Sequence, residues 1–293
     1  MDLKRIINEV YRNEYQSPIV AAPGGFFDQG WYTKLLQQSS AGTVNIVTHH
    51  IYNLGPGNDR HLISKILDPK YLSKIESTFS RLESTIKRNG PWASSGVSES
   101  GGAYNSGGEH VSDTFANSFW YLDQLGMASK HNTKVYCRQS LVGGYYGLLN
   151  STTFQPNPDY YSALLWRRLM GERVLSVEHD TSPYLRCYAH CSRGRSGVTL
   201  LLMNLSKEKK FELNVGGRVT SGLQILENRS DGGRSVCEGE LWREEYHLTG
   251  DLRSRTMVLN GIPLALTDGD VPPLNPIRVS HDSPLAISPL SFA

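Results

Sequence analysis

The sequence has no apolar run approaching the roughly 20 residues a membrane span requires. Its N-terminus, Met1-Asp2-Leu3-Lys4-Arg5, lacks the apolar stretch of a signal peptide. Net charge is almost absent: 30 basic against 28 acidic residues leave +2, which excludes a global field that would draw nucleic acid or a membrane surface. The local run Lys207-Glu208-Lys209-Lys210 reads as a solvated face. Cysteine is scarce. Cys137, Cys187, Cys191 and Cys237 show no paired C-x-x-C spacing for zinc, and disulfide, free-thiol and buried apolar readings of them all stay open. His49 and His50 have no third ligand in sight, so no metal is expected. The pairs Gly101-Gly102 and Gly143-Gly144 lack the spacing of a dinucleotide or phosphate loop, so no nucleotide cofactor is expected either. There is no internal repeat and no low-complexity tract.

What is present is enough for a core. Across 293 residues, 39% are hydrophobic and 10% aromatic, which supports one or two globular domains. From residue 1 to 172 the pattern alternates between helical and strand periods, beginning with Leu3, Ile6, Ile7 and Val10 on one helical face. Strands are predicted at Ser17–Ala22, Val44–His50, Trp92–Ser98 and Lys134–Leu141. Helices are predicted around Trp31–Gln38, within His61–Lys87, over Ser112–Leu125 and over Asp159–Met170. Four consecutive βα units need a parallel sheet with helical cover, either doubly wound or an arc of a (β/α)8 barrel. After Gly171 short β-rich runs (Arg173–Val177, Leu185–Cys191, Val198–Leu205, Phe211–Val215) separated by Gly, Ser and Asp predict an all-β sandwich over 173–293. Sequons at Asn150, Asn204 and Asn228 would matter only in a secretory compartment.

In parallel βα architectures functional side chains collect at the C-terminal ends of strands and in the loops that follow. The candidates fall there: Pro23-Gly24-Gly25-Phe26-Phe27, His49-His50-Ile51-Tyr52-Asn53, Glu99, and Arg138-Gln139. Glu99 precedes the small-residue loop Ser100–Gly108, which can approach a ligand closely. A carboxylate facing glycine-rich loops, tyrosines, histidines and an arginine suits a polyhydroxylated ligand, and sugar is the natural reading. Glycosidases use a carboxylate pair: in the retaining class one attacks the anomeric carbon while the other, about 5 Å away, protonates the leaving group. Only Glu99 is well placed for such work.

Several stretches resemble the plant heparanase-like proteins: His49-His50-Ile51-Tyr52-Asn53-Leu54-Gly55-Pro56-Gly57, Glu99 to Gly108, Ser112-Asp113-Thr114-Phe115, Trp120 to Gly126, Arg138-Gln139, Pro158-Asp159-Tyr160-Tyr161 and Asn260-Gly261. The likeness runs through nearly the whole chain. It implies a retaining β-glucuronidase-like hydrolase, a (β/α)8 barrel with an appended β-sandwich, acting on glucuronic-acid-containing glycans or glucuronides. The setting it implies is secreted, extracellular or vacuolar, peripheral to membrane or cell wall. Glu99 becomes the expected nucleophile. His50, Tyr52, Tyr104 and Tyr146 become expected substrate contacts.

The departures matter too. Ser98 and Ser100 stand where the family carries Gly and Ala, and their hydroxyls are expected to hydrogen-bond Glu99 and lower its pKa. Tyr145 replaces an Asn, and Cys187 is an added cysteine. The strand that normally follows Ser291-Phe292 is absent, with the terminal cysteine that would pair with the match to Cys191. The family's acid/base Glu lies in an Asn-Glu pair on an earlier barrel strand. Asn8-Glu9 does not fill that place, because it sits on an amphipathic helix. The expectation is therefore half a barrel, residues 1–172, inactive by itself. A non-catalytic glycan-binding or interaction protein is the alternative.

Overall fold

The computed structural model describes residues 2–179, 181–214, 224–226 and 242–293, and the statements below concern these. Cys237 and the sequon at Asn228 lie outside the described residues. By contact density the chain forms two compact units, each entered more than once: Met1–Asn53, Lys74–Gly101 and Met127–Gln139 make the first, and Leu54–Ser73, Gly102–Gly126 and Ser140–Ala293 the second.

The first unit is built on four parallel strands, β1 (Ala21–Phe26), β2 (Ile46–Ile51), β3 (Ser94–Ser100) and β4 (Thr133–Arg138), in the order β1-β2-β3-β4. Its helices are α1 (Asp2–Val10), α2 (Gln29–Gln38) and α5 (Glu76–Asn89), while α3 (Leu62–Ile66) and α4 (Pro69–Ser73) belong to the second unit. The Asp28 side chain accepts from Trp31 N–H at 2.7 Å and so starts α2. Helix α5 repeats Phe79, Leu82 and Ile86 at helical spacing, and that stripe is buried. Tyr32 and Leu36 of α2 meet Leu82, Ile86, Val44 and Val47 in one core cluster. Ile51, Phe79, Val97, Met127 and Ala128 form another. Thus Val47, Ile51 and Val97 point to the helices.

The strand bounds differ from expectation at both edges. The first strand was expected at Ser17–Ala22, yet β1 begins at Ala21, because its partner β2 begins at Ile46 and the pairing starts with Ala21 opposite Ile46. It then runs through Pro23, Gly24 and Gly25, which read as a stop in the sequence. An edge strand is hydrogen-bonded on one side only, so the missing N–H of Pro23 is tolerated. The last parallel strand ends at Arg138 instead of Leu141, since Gln139 N–H already donates to Ser100 O at 2.9 Å.

The second unit holds α7 (Pro158–Leu169) and the β-rich part, which begins at Met170. Strands β5 (Met170–Glu178), β6 (Leu185–Ser192) and β7 (Val198–Asn204) sit in an eight-stranded antiparallel sheet with segments 224–226, 291–292, 248–249, 258–259 and 262–263. Two further two-stranded pairs join 211–213 to 285–287 and 242–245 to 277–280. Leu185 and Leu202 pack with Phe211, Leu213, Leu285 and Ile287, with Cys187 against them. Burial pushes the Cys187 thiol up to about 12, as befits the buried apolar reading.

Helix α6 (Phe115–Lys130) carries a buried polar anchor at Asp123, which accepts from Arg186 Nε at 2.8 Å and from Tyr188 O–H at 2.6 Å. Gly126, one turn on, makes room for that tyrosine: a Cβ there would sit 2.3 Å from the Tyr188 ring. Of the sequons, Asn204 is fully buried and donates its amide to Lys209, Ile287 and Ser288 carbonyls. It is therefore closed to glycosylation in this fold, whereas Asn150 lies in a partly exposed turn.

Candidate active site

Strands β2 and β3 are neighbours, and their pairing changes register near the C-terminal end. Thr48 faces Gly96 and His49 faces Val97, but His50 faces Glu99. Ser98 is the extra residue, a β-bulge. Along a regular strand Glu99 would share the helix-facing side of Val97, since alternate side chains point to opposite faces. The bulge resets the alternation and brings Glu99 onto the face of His50.

Around the carboxylate the geometry is simple. Tyr52 donates its hydroxyl to Glu99 Oε1 at 2.6 Å. His50 Nδ1 lies 3.7 Å from Oε2, beyond hydrogen-bond distance but close enough for its charge, when present, to be felt. No other hydrogen bond reaches the Glu99 carboxylate among the described residues. The Glu99 side chain is 35% exposed, with Oε1 held by Tyr52 and Oε2 without a hydrogen bond among the described residues. Gly24, at φ +108°, brings β1 close to the imidazole, where a Cβ would lie 3.3 Å from His50 Nε2.

The two flanking serines do not reach the carboxylate, contrary to expectation. Ser98 Oγ donates to His49 O at 3.3 Å, and Ser100 Oγ bonds the Tyr136 hydroxyl at 2.7 Å. The bulge and the strand's alternation turn both away from Glu99. Tyr136 was not picked out in the sequence, where it reads as one aromatic in a strand.

His49 takes the opposite face. It is wholly buried, edge-on to Phe79 at 5.9 Å and to Phe27 at 6.4 Å, and neither ring nitrogen has a hydrogen-bond partner among the described residues. Burial, with the His50 charge adding to it, pushes its pKa down to about 4, so it is a neutral packing residue at ordinary pH.

Glu99, His50 and Tyr52 are thus brought together in the first unit. Tyr104 and Tyr146 belong to the second. There Tyr104 is 41% exposed and lies in a short parallel pairing of Gly55–Pro56 with Ala103–Tyr104. Tyr146 is buried, and its loop is tied to the one after Glu99 by Tyr145 N–H donating to Ser106 O at 2.6 Å.

A carboxylate at the end of a parallel strand is thus steadied by a tyrosine beside an imidazole. The solved 4-O-α-L-rhamnosyl-β-D-glucuronidase from Fusarium oxysporum superposes with a TM-score of 0.66 at 14% identity, over 97% of this chain and 61% of that one. At that identity the likeness is one of fold. In sequence, residues 1–126 match Glycosyl hydrolase family 79, N-terminal domain. The chain is 56% identical to Heparanase-like protein 1 of Arabidopsis thaliana over 99% of its own length and 57% of that protein's. It is 38% identical to Baicalin-beta-D-glucuronidase of Scutellaria baicalensis, over 99% of this chain and 52% of the relative. The chain is thus similar to heparanase-like proteins over 99–100% of its own length, and it spans just over half the length of the curated relatives it matches.

Proposed function

We propose that the chain is the nucleophile-bearing part of a retaining glycosidase of β-glucuronidase type, acting on glucuronosyl linkages in glycans or small glucuronides, and working in a secreted or vacuolar setting. In this reading the four parallel strands are an arc of a (β/α)8 barrel over residues 1–172, and the antiparallel strands after them are a β-sandwich over 173–293. The observation that carries it is Glu99, bulged onto the His50 face, with one oxygen held by Tyr52 and the other free.

The chemistry follows from that asymmetry. The free Oε2 of Glu99 attacks the anomeric carbon and forms a glycosyl ester while the bond to the aglycone oxygen breaks. Tyr52 stabilises the charge on Oε1 and fixes the rotamer, so that little reorganisation precedes attack. His50 lines the sugar side, and Tyr104 and Tyr146 are the remaining candidates for holding the ring and its carboxylate. Protonation of the aglycone and later activation of water need a second carboxylate about 5 Å from the first. The groups beside Glu99 among the described residues are a phenol and an imidazole, and the reading assigns the acid/base to a part of the enzyme that this chain does not span.

Because fluoride leaves without protonation, 2-deoxy-2-fluoro-β-D-glucuronosyl fluoride tests the nucleophile without its partner. The purified chain is expected to gain one fluoroglucuronosyl group on the peptide containing Glu99, seen by mass spectrometry, and to lose it in Glu99→Gln. Labelling at another carboxylate, or none in a chain whose folding is verified by circular dichroism, defeats the assignment. Turnover of an unactivated aryl glucuronide that Glu99→Gln abolishes would show instead that the acid/base is within the chain.

A further inference from the structure

The proposed reaction makes no use of the three sequons. Asn204 is closed, since it is wholly buried and its amide donates to the Lys209, Ile287 and Ser288 carbonyls. Asn150 has the opposite surroundings. It opens a hairpin tip within the second unit: Leu149 bridges Pro156, Asn150 N–H donates to Gln155 O at 2.9 Å, and Phe154 N–H donates to Asn150 O at 2.9 Å. Its side-chain oxygen accepts from the N–H groups of Thr152 and Thr153, each at 2.9 Å, which makes an Asx turn. The backbone N–H and both oxygens of Asn150 are thus engaged. Its amide nitrogen Nδ2 has no hydrogen bond among the described residues and is not a buried atom. The Thr152 hydroxyl is equally without a partner among them, and residues 151–155 are all exposed.

We infer that Asn150 carries an N-linked glycan whose first sugar covers the Phe154 ring. An N-x-Ser/Thr site is modified on its amide nitrogen, with the hydroxyl two residues on presented beside it. The Asx turn folds Thr152 back toward Asn150 and leaves those two groups free. In the transfer, Nδ2 displaces a polyprenyl diphosphate from the anomeric carbon of a lipid-linked oligosaccharide. The C1–O bond breaks, a C1–N bond forms and Nδ2 gives up one proton, with nothing oxidised or reduced. The fold loses nothing by it, because every hydrogen bond of Asn150 is made by other atoms. At Asn204 the same reaction would take one of the two amide protons that serve three carbonyls and force a sugar into the core. Phe154 supplies the reason to keep a glycan at the tip. It is 60% exposed, and its backbone is left-handed at φ +57°, a conformation bulky residues rarely adopt. A sugar attached four residues earlier in the same turn offers its apolar face to that ring. The inference rests on the secretory setting proposed above and not on the role of Glu99.

Yeast cells given the full chain behind an added secretion leader bring it to the transferase whatever its own setting, so a closed site is distinguished from a wrong setting. Endoglycosidase H then leaves one N-acetylglucosamine on each occupied asparagine. Peptide mass spectrometry reads each sequon separately, in chain from the medium and from lysed cells. The Asn150 peptide is expected to carry the tag in most molecules and the Asn204 peptide in none. Thr152→Ser keeps the tag. Thr152→Val loses it, yet leaves the Asx turn in place, because the turn uses the backbone N–H of residue 152. Chymotrypsin acting on the native, fully glycosylated chain is expected to cut after Phe154 about tenfold more slowly than in Thr152→Val. Wild-type chain deglycosylated by peptide N-glycosidase gives the same comparison without a substitution. An untagged Asn150 in both fractions, a tag on Asn204 in folded chain, a tag that survives Thr152→Val, or equal cleavage rates overturn the proposal. Labelling of Glu99 is a separate readout, so either proposal can fail alone.

Discussion

Acid should weaken the parallel sheet through one residue, His49. Its imidazole is wholly buried against Phe27 and Phe79, and burial first, then the charge of His50, pushes its pKa from 6.5 to about 4. The folded-state value lies below the unfolded one, so below pH 6.5 the unfolded chain takes up a proton that the folded chain refuses. The contribution is fully present above pH 6.5 and is lost as pH falls toward 4. Between pH 7.5 and 5 the linkage amounts to about 2 kcal/mol, reaching about 3 kcal/mol at pH 4 and a limit of about 3.4 kcal/mol below it, at 1.36 kcal/mol per unit. Replacing His49 with Phe keeps an aromatic among aromatics and removes the titration. Urea unfolding at pH 7.5, 6 and 5, followed in the wild-type chain and in His49→Phe, isolates the effect, because every other group titrates in both. The variant is expected to lose about 2 kcal/mol less over that range. Parallel losses in the two proteins would refute the burial argument. So would a large penalty for His49→Phe at pH 7.5, which would mean that the imidazole makes a bond worth keeping.

Tyr52→Phe removes the one hydrogen bond that reaches the Glu99 carboxylate among the described residues. The labelling rate with the fluoroglucuronosyl fluoride is expected to fall by about 10- to 100-fold, because the carboxylate loses the donor that fixes its rotamer. An unchanged labelling rate would show that the hydrogen bond does not matter to the nucleophile. Asp123→Ala leaves the Arg186 guanidinium buried without its counter-charge and is expected to cost about 3–5 kcal/mol by urea unfolding. The double variant Asp123→Leu/Arg186→Met should recover a large part of it. Gly126→Ala drives a methyl into the Tyr188 ring and should destabilise by about 1–3 kcal/mol, an effect that pairing with Tyr188→Ala relieves.

Periodicity placed the helices well, because α2, α5 and α7 bury stripes that local spacing reveals. It misplaced β1, since a strand's bounds are decided by the partner it pairs with, and no local pattern states where Ile46 will lie. Glu99 was legible as the single carboxylate between a strand and a glycine-rich loop, and His50 and Tyr52 were legible from the motif around them. The serines beside Glu99 were misread for want of one fact, the bulge at Ser98, which alters the direction of every side chain after it.

The sequence by itself determined the composition of the core, the alternation of helix with parallel strand, the change to β-rich texture near residue 170 and the candidate carboxylate, because each is carried by residues close together in the chain. Tertiary structure alone decided which hydroxyl holds Glu99, that His49 is buried among aromatics while its neighbour His50 faces the carboxylate, and that Asn204 is closed to modification. Those are relations between strands 40 or more residues apart or between opposite faces of one strand. A change of register by a single residue reverses them, and only the assembled sheet sets the register.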